Sequence, residues 1–131
     1  MSTSQKKCPF CPPKSEEIIF KNEFAVALWD SIPVTDMHAL VVPHRHADNY
    51  FDLTDEEARA CHELLRKVRE LALARDGSIE GFNIGTNVGS TAGQKVFHCH
   101  IHLIPRRQRD RDASKGGIRN VIPRKAEERV D

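Results

Sequence analysis

The chain has 131 residues, of which 39% are hydrophobic and 30% charged, with 20 Lys and Arg against 19 Asp and Glu. That length suits one compact domain, and the composition is that of neither a disordered chain nor a membrane protein. A net charge of +1 argues against a dedicated nucleic-acid binder, which normally carries a strongly basic face.

Residues 1–7 are polar and lead into Cys-Pro rather than into the apolar stretch of a secretory signal. No apolar run approaches the roughly 20 residues of a bilayer span. The expectation is a cytoplasmic protein whose four cysteines are thiols or metal ligands, not disulfides. Cys8-Pro9-Phe10-Cys11-Pro12-Pro13 is turn-rich, because its prolines forbid regular structure. Two strand-like runs follow at 17–20 and 24–29, with Lys21-Asn22-Glu23 as the hairpin turn. A third strand is expected at 38–42, ended by Pro43.

Residues 52–76 read as the one clear helix. Thr54 and Glu57 have capping-box spacing, Ala58, Cys61, Leu64, Leu65, Val68, Leu71 and Ala72 recur at helical period, and Gly77 ends it. A strand at 81–86, a Gly-rich loop at 87–93 and a strand at 96–105 complete the pattern. One long helix among about five strands predicts an α+β domain built on an antiparallel sheet. It spans 1–131, with a metal-knuckle segment at 1–15 and a charged C-terminal extension at 106–131. The charge run 106–115 reads as a solvated turn.

The most informative stretch is His98-Cys99-His100-Ile101-His102. Side chains alternate along a strand, so 98, 100 and 102 share a face at about 6.6 Å per pair while Cys99, Ile101 and Leu103 enter the core. The preceding Asn87-Val88-Gly89-Ser90-Thr91-Ala92-Gly93-Gln94 loop offers backbone N–H groups as an anion cradle. Together they suggest a phosphate held against an imidazole nucleophile.

Asn87-x-Gly89…Ala92-Gly93-Gln94-x-Val96-x-His98-x-His100-x-His102-Leu103-Ile104-Pro105-Arg106 resembles the signature of the histidine triad (HIT) family of nucleotide hydrolases and transferases. His38-Ala39-Leu40-Val41-Val42-Pro43-x-x-His46 resembles a second block of that family, Asp52-Leu53-Thr54 matches the start of its helix, and Asp30 falls in its ribose-binding strand. The resemblance implies a HIT-like five-stranded antiparallel sheet with one long helix. It also implies that His100 attacks the α-phosphate to form a nucleotidyl-histidine and that His102 assists proton transfer. Asn87, Gly93, Gln94, Lys95 and Val96 would hold phosphate oxygens, and Asp30 the ribose hydroxyls. From position alone, Phe10, Leu28 and Ile32 are expected to line a base pocket. Lys95 stands where family members often carry Ser or Thr, which favours polyphosphate leaving groups over neutral amines.

Cys8-x-x-Cys11 has zinc-knuckle spacing, although a redox pair or two free thiols have the same spacing. The resemblance implies a structural zinc on Cys8, Cys11, His46 and His98, with His44 the competing ligand. It further implies a homodimer and a small-molecule, purine nucleotide substrate such as diadenosine tetraphosphate, with no organic cofactor and no membrane or nucleic-acid partner. A nucleotidyltransferase or phosphorylase, and a nucleotide-binding module without turnover, are the alternatives. Cys61 and Cys99 read as core residues, His62 as a surface residue and His38 as structural.

Overall fold

A computed structural model describes residues 8–110 and 117–122; residues 1–7, 111–116 and 123–131, with the parts of the knuckle and tail expectations that fall on them, lie outside the described residues. Five strands, β1 (Ile18–Lys21), β2 (Ala25–Trp29), β3 (Ala39–Pro43), β4 (Ile79–Gly85) and β5 (Ile101–Arg107), form one sheet in the order β1-β2-β3-β5-β4. Every neighbouring pair is antiparallel. One long helix, α1 (Asp55–Arg75), packs across β2 and β3. The expected sheet and helix are the ones that form.

Helix α1 starts where its side chains dictate. Thr54 Oγ1 accepts from Glu57 N–H at 3.1 Å and Glu57 Oε1 accepts from Thr54 N–H at 2.9 Å, a complete capping box. Ala60, Cys61, Leu64, Val68 and Ala72 form its buried stripe, which closes a core with Ala25, Ala27, Ala39, Val41, Cys99, Ile101 and Leu103. Burial pushes the Cys61 thiol up to about 12 and the Cys99 thiol up to about 11, so both are unreactive apolar fillers.

Glu57 is buried, and its carboxylate is also forked by Arg45, whose Nε and Nη2 each donate at 2.8 Å. That guanidinium holds the Glu57 carboxyl below its ordinary value. Glu57→Ala removes half of the cap and the partner of Arg45. We expect a loss of about 1–3 kcal/mol in urea denaturation, with Glu57→Gln recovering part of it.

The opposite face of the sheet carries a smaller cluster of Val26, Leu28, Leu40 and Val42, covered by Phe10 and Ile18. Register places Leu28 beside Leu40 and Leu40 beside His102, a row running across this face. Alternation along β5 is strict: Ile101, Leu103, Pro105 and Arg107 are buried, and His102, Ile104 and Arg106 half-buried.

β5 is displaced from its expected position at 96–105. Residues 96–100 leave the sheet because other partners claim them: Cys99 N–H donates to Ala47 O at 2.7 Å and the His98 ring donates to Pro43 O. At its other end β5 continues to Arg107, whose side chain is anchored by Asp76 Oδ2, Thr35 Oγ1 and Asp36 O at 2.8–3.1 Å. The solvated-turn reading is therefore corrected at Arg106 and Arg107, while Gln108 and Arg109 do form an exposed turn. Arg106 is also held, by Asp110 and Asn83.

Candidate functional site

β2, β3 and β5 deliver Asp30, His38, His100 and His102 to one end of the apolar row, and the segment 8–14 lies over it. Between them is a cavity of about 450 Å³ lined by Pro9, Phe10, Leu28, Leu40 and Val96 and, on its polar side, by Asp30, His100 and His102. Phe10 and Leu28 line it as expected from their positions. Ile32 does not; it is 83% exposed, and Leu40 takes its place.

Hydrogen-bond partners decide which ring nitrogens carry protons. His100 Nδ1 lies 2.8 Å from the His98 carbonyl oxygen, which can only accept, so Nδ1 bears the proton and Nε2 keeps its lone pair. Val34 N–H donates to His38 Nδ1 at 3.1 Å, which puts the His38 proton on Nε2. His38 Nε2 is 2.9 Å from His102 Nδ1 and 3.3 Å from Asp30 Oδ2. His102 Nδ1 therefore accepts, and His102 Nε2 holds a proton to donate. His38, read from the sequence as structural, sets the state of its neighbour. Register offered only a partial clue, since Leu40 stands opposite His102 and His38 reaches that ring diagonally from two positions earlier in the chain.

Burial, then the nearby His100 and His38 rings, push His102 down to about 4 against an ordinary 6.5, with Asp30 opposing. Burial also lowers His38, again opposed by Asp30. Both are neutral at pH 7. Between pH 6.5 and about 4 the unfolded chain binds protons that the native site refuses, so stability falls as pH drops through that window. We expect the His102 ring resonances to stay constant from pH 8 to about pH 5, and His102→Gln to flatten the acid side of the stability profile. A His102 titration near 6.5 would overturn the relay.

The loop 87–94 differs from the open cradle expected. Gln94 is buried: its Oε1 accepts from Gly89 N–H, its Nε2 donates to Asp48 O and Val96 O, and its own N–H donates to Gly89 O. Ala92 and Gly93 N–H groups also bond inside the loop. The Gln94 side chain thus braces the loop, with both its oxygen and its nitrogen engaged inside the protein. Val96 lines the cavity, and its carbonyl oxygen accepts from Gln94 Nε2. Asn87, Gly93 and Lys95 are exposed. Gly93 has φ 101° with Asn87 Nδ2 only 3.4 Å from where a Cβ would stand, so glycine is required there.

A second cluster lies behind Phe10. Cys8 Sγ is 3.3 Å from His98 Nδ1; Cys11 Sγ is 3.3 Å from His46 Nδ1 and 3.4 Å from His98 Nδ1; the two Nδ1 atoms are 3.2 Å apart. One imidazole nitrogen cannot hydrogen-bond to three such partners at once. The spacings instead approach the edges, about 3.3–3.8 Å, of a tetrahedron with metal bonds of about 2.0–2.3 Å. His98 Nε2 donates to Pro43 O at 2.9 Å, which leaves Nδ1 free to ligate, and His46 Nε2 is buried without a hydrogen bond, 3.6 Å from Asp48 Oδ1. Two thiols and two imidazoles make a donor set that fits a tetrahedral metal. His44 points away, bonded to Asn22 O.

Residues 13–109 match the HIT domain. The chain belongs to the HIT family. Among HIT relatives, an uncharacterized HIT-like protein of Saccharolobus solfataricus is 34% identical over 86% of this chain and 77% of its own length. An adenylylsulfatase of Arabidopsis thaliana is 29% identical over 83% of this chain and 57% of its own. Among solved HIT structures, a zinc-bound histidine triad protein from Mycobacterium smegmatis aligns with TM-score 0.72 and 30% identity over 82% and 80% of the two chains. A histidine triad nucleotide-binding protein from Candida albicans aligns with TM-score 0.67 and 25% identity over 77% and 76%. Among the described residues of this HIT chain, no helix is long and apolar enough to cross a membrane.

Proposed function

We propose that the protein is a nucleotide hydrolase that acts at the α-phosphate through a covalent intermediate on His100. One observation carries this reading: with its Nδ1 proton donated to the His98 carbonyl, His100 keeps an Nε2 lone pair at a cavity it lines. In the first step Nε2 forms a bond to the α-phosphorus as the bond to the leaving-group oxygen breaks. Positive charge arising on the ring is stabilised by the Nδ1–H···O=C bond. His102 Nε2–H, fixed by His38, donates to a phosphoryl or leaving oxygen. In the second step water attacks phosphorus as the P–N bond breaks, one water proton passes to solvent, and His100 regains its Nε2 lone pair.

Asp30 accepts from the ribose hydroxyls, and the base, a purine, lies among Phe10, Leu28 and Leu40. Asn87, Gly93, Lys95 and the Val96 N–H serve the phosphate end, where Lys95 attracts a polyphosphate as a point charge. Cys8, Cys11, His46 and His98 hold a structural zinc in a closed site that anchors the N-terminal segment; bound there, zinc supplies cross-linking, not chemistry on substrate. The proposal is completed by a single domain over 1–131 and by a cytoplasmic homodimer. The Arabidopsis relative, named for action on an adenylyl sulfate, and the nucleotide-binding Candida neighbour support the choice of substrate class.

Chromatography of diadenosine tetraphosphate products tests the reading. AMP plus ATP is expected. Two ADP would mean attack at the centre of the chain and would overturn it, and ADP plus ATP in the presence of inorganic phosphate would replace hydrolysis by transfer to phosphate.

A further inference from the structure

Phe10 stands between two of the prospective metal ligands, and its ring reaches the reactive centre. It meets the His98 ring edge-on at 5.5 Å and the His100 ring at 5.6 Å, while its N–H donates to Cys8 Sγ at 3.4 Å. With Pro9 and Pro12 it contributes one part of the cavity wall, where it packs against the cluster of Leu28 and Leu40. Among the described residues, no backbone hydrogen bond ties 8–13 to the sheet: the one backbone bond there, Cys11 N–H to Cys8 O at 3.4 Å, is internal. The segment is joined to the rest of the fold by the two thiols at His46 and His98 and by the packing of Phe10 on Leu28 and its neighbours. Leu28 and Leu40 belong to a five-stranded sheet and need no such support.

Resting on the nucleotide reading above, we infer that Phe10 is a specificity-determining residue whose position is set by metal at Cys8, Cys11, His46 and His98, so that metal loading controls affinity for the nucleoside and not for the phosphate. Four ligands drawn from positions 8 to 98 remove the freedom of a segment that has no ladder of its own. Without them the ligand must order the wall as it binds, and its apparent affinity falls by the fraction of time the wall is in place. Asp30, His100 and His102 lie on or beside the sheet and keep their positions, so the loss falls on the base.

Calorimetric titration with AMP, and with inorganic pyrophosphate as a probe lacking the nucleoside, decides this. It compares zinc-loaded, chelator-stripped and zinc-reloaded wild type with loaded and stripped Phe10→Ala. Stripping is expected to weaken AMP about ten- to hundredfold, as is Phe10→Ala in the loaded protein. Reloading restores wild type. Stripping Phe10→Ala costs little more, because the same wall cannot be lost twice, and pyrophosphate stays within about twofold throughout.

Equal AMP affinity in loaded and stripped wild type overturns the inference and leaves the nucleotide reading standing. A further tenfold loss on stripping Phe10→Ala, or an equal loss for pyrophosphate, overturns Phe10 as the carrier of the effect. Failure of loaded wild type to bind AMP overturns the nucleotide reading and this inference with it.

Discussion

His100→Ala is expected to lower turnover of diadenosine tetraphosphate by a factor of about 10³ or more, with AMP still binding within about tenfold of wild type. The two effects separate because different atoms carry them. Bond formation needs the Nε2 lone pair that the His98 carbonyl leaves on the ring. Binding draws on Asp30, on Leu28 and Leu40 and on Phe10, all of which remain. His100→Gln, closer in shape, checks that the loss does not follow from a collapsed cavity, since the ring packs against Phe10 and His102. Mass spectrometry of wild type quenched in alkali, which preserves the acid-labile P–N bond, is expected to show an adenylyl adduct that neither variant forms. Loss of binding and turnover in step in both variants would assign His100 a folding role and end the covalent mechanism.

The purified protein is expected to carry about one zinc ion per chain, and Cys11→Ser is expected both to remove it and to lower the melting temperature by roughly 10 °C. Serine keeps the size of the side chain but supplies no thiolate. His98 is completely buried, and its Nδ1 faces Cys8, Cys11 and His46, not water. Burial holds this ring below its ordinary value, which keeps it in the neutral form that ligates. Without metal, the two thiol protons can pair with the two Nδ1 lone pairs, but the Nδ1 atoms then face each other at 3.2 Å with no proton between them. Elemental analysis and differential scanning calorimetry check both halves. A zinc content well below one per chain, without exposure to chelator, would sink the assignment.

Much of the fold was legible because local signals and tertiary demands agree. Thr54 and Glu57 announced the start of α1 and make both capping bonds. Cys99, Ile101 and Leu103 point inward as the alternation implied, but the strand begins only at Ile101, and His98, expected on the outer face with 100 and 102, is fully buried as well. Legibility failed wherever a side chain's partners are distant in sequence. Arg107 sits in a run of charges that looks solvated, yet it is buried because Asp76, Thr35 and Asp36 come to it from 31 to 72 positions away. Gln94 resembles a ligand-binding amide, and its bond to Asp48 O, 46 positions back, turns it into a brace. Ile32 was placed in the pocket by proximity to Asp30, but the backbone turns it outward, and Leu40 occupies the cavity through its register with Leu28 and His102.

By itself the sequence determined the class of fold, the family resemblance and which residue types are available for chemistry, since periodicity and spacing are properties of a single segment. Only the tertiary structure decided the state of each histidine. Proton placement on an imidazole depends on which carbonyl or N–H approaches within about 3 Å. For His98 and His102 the deciding partners, Pro43 O and His38 Nε2, lie 55 and 64 positions away. The same spacing pattern thus contains one ring oriented to ligate, one left with a lone pair and one left with a proton, a division of labour that three identical residues cannot express in sequence.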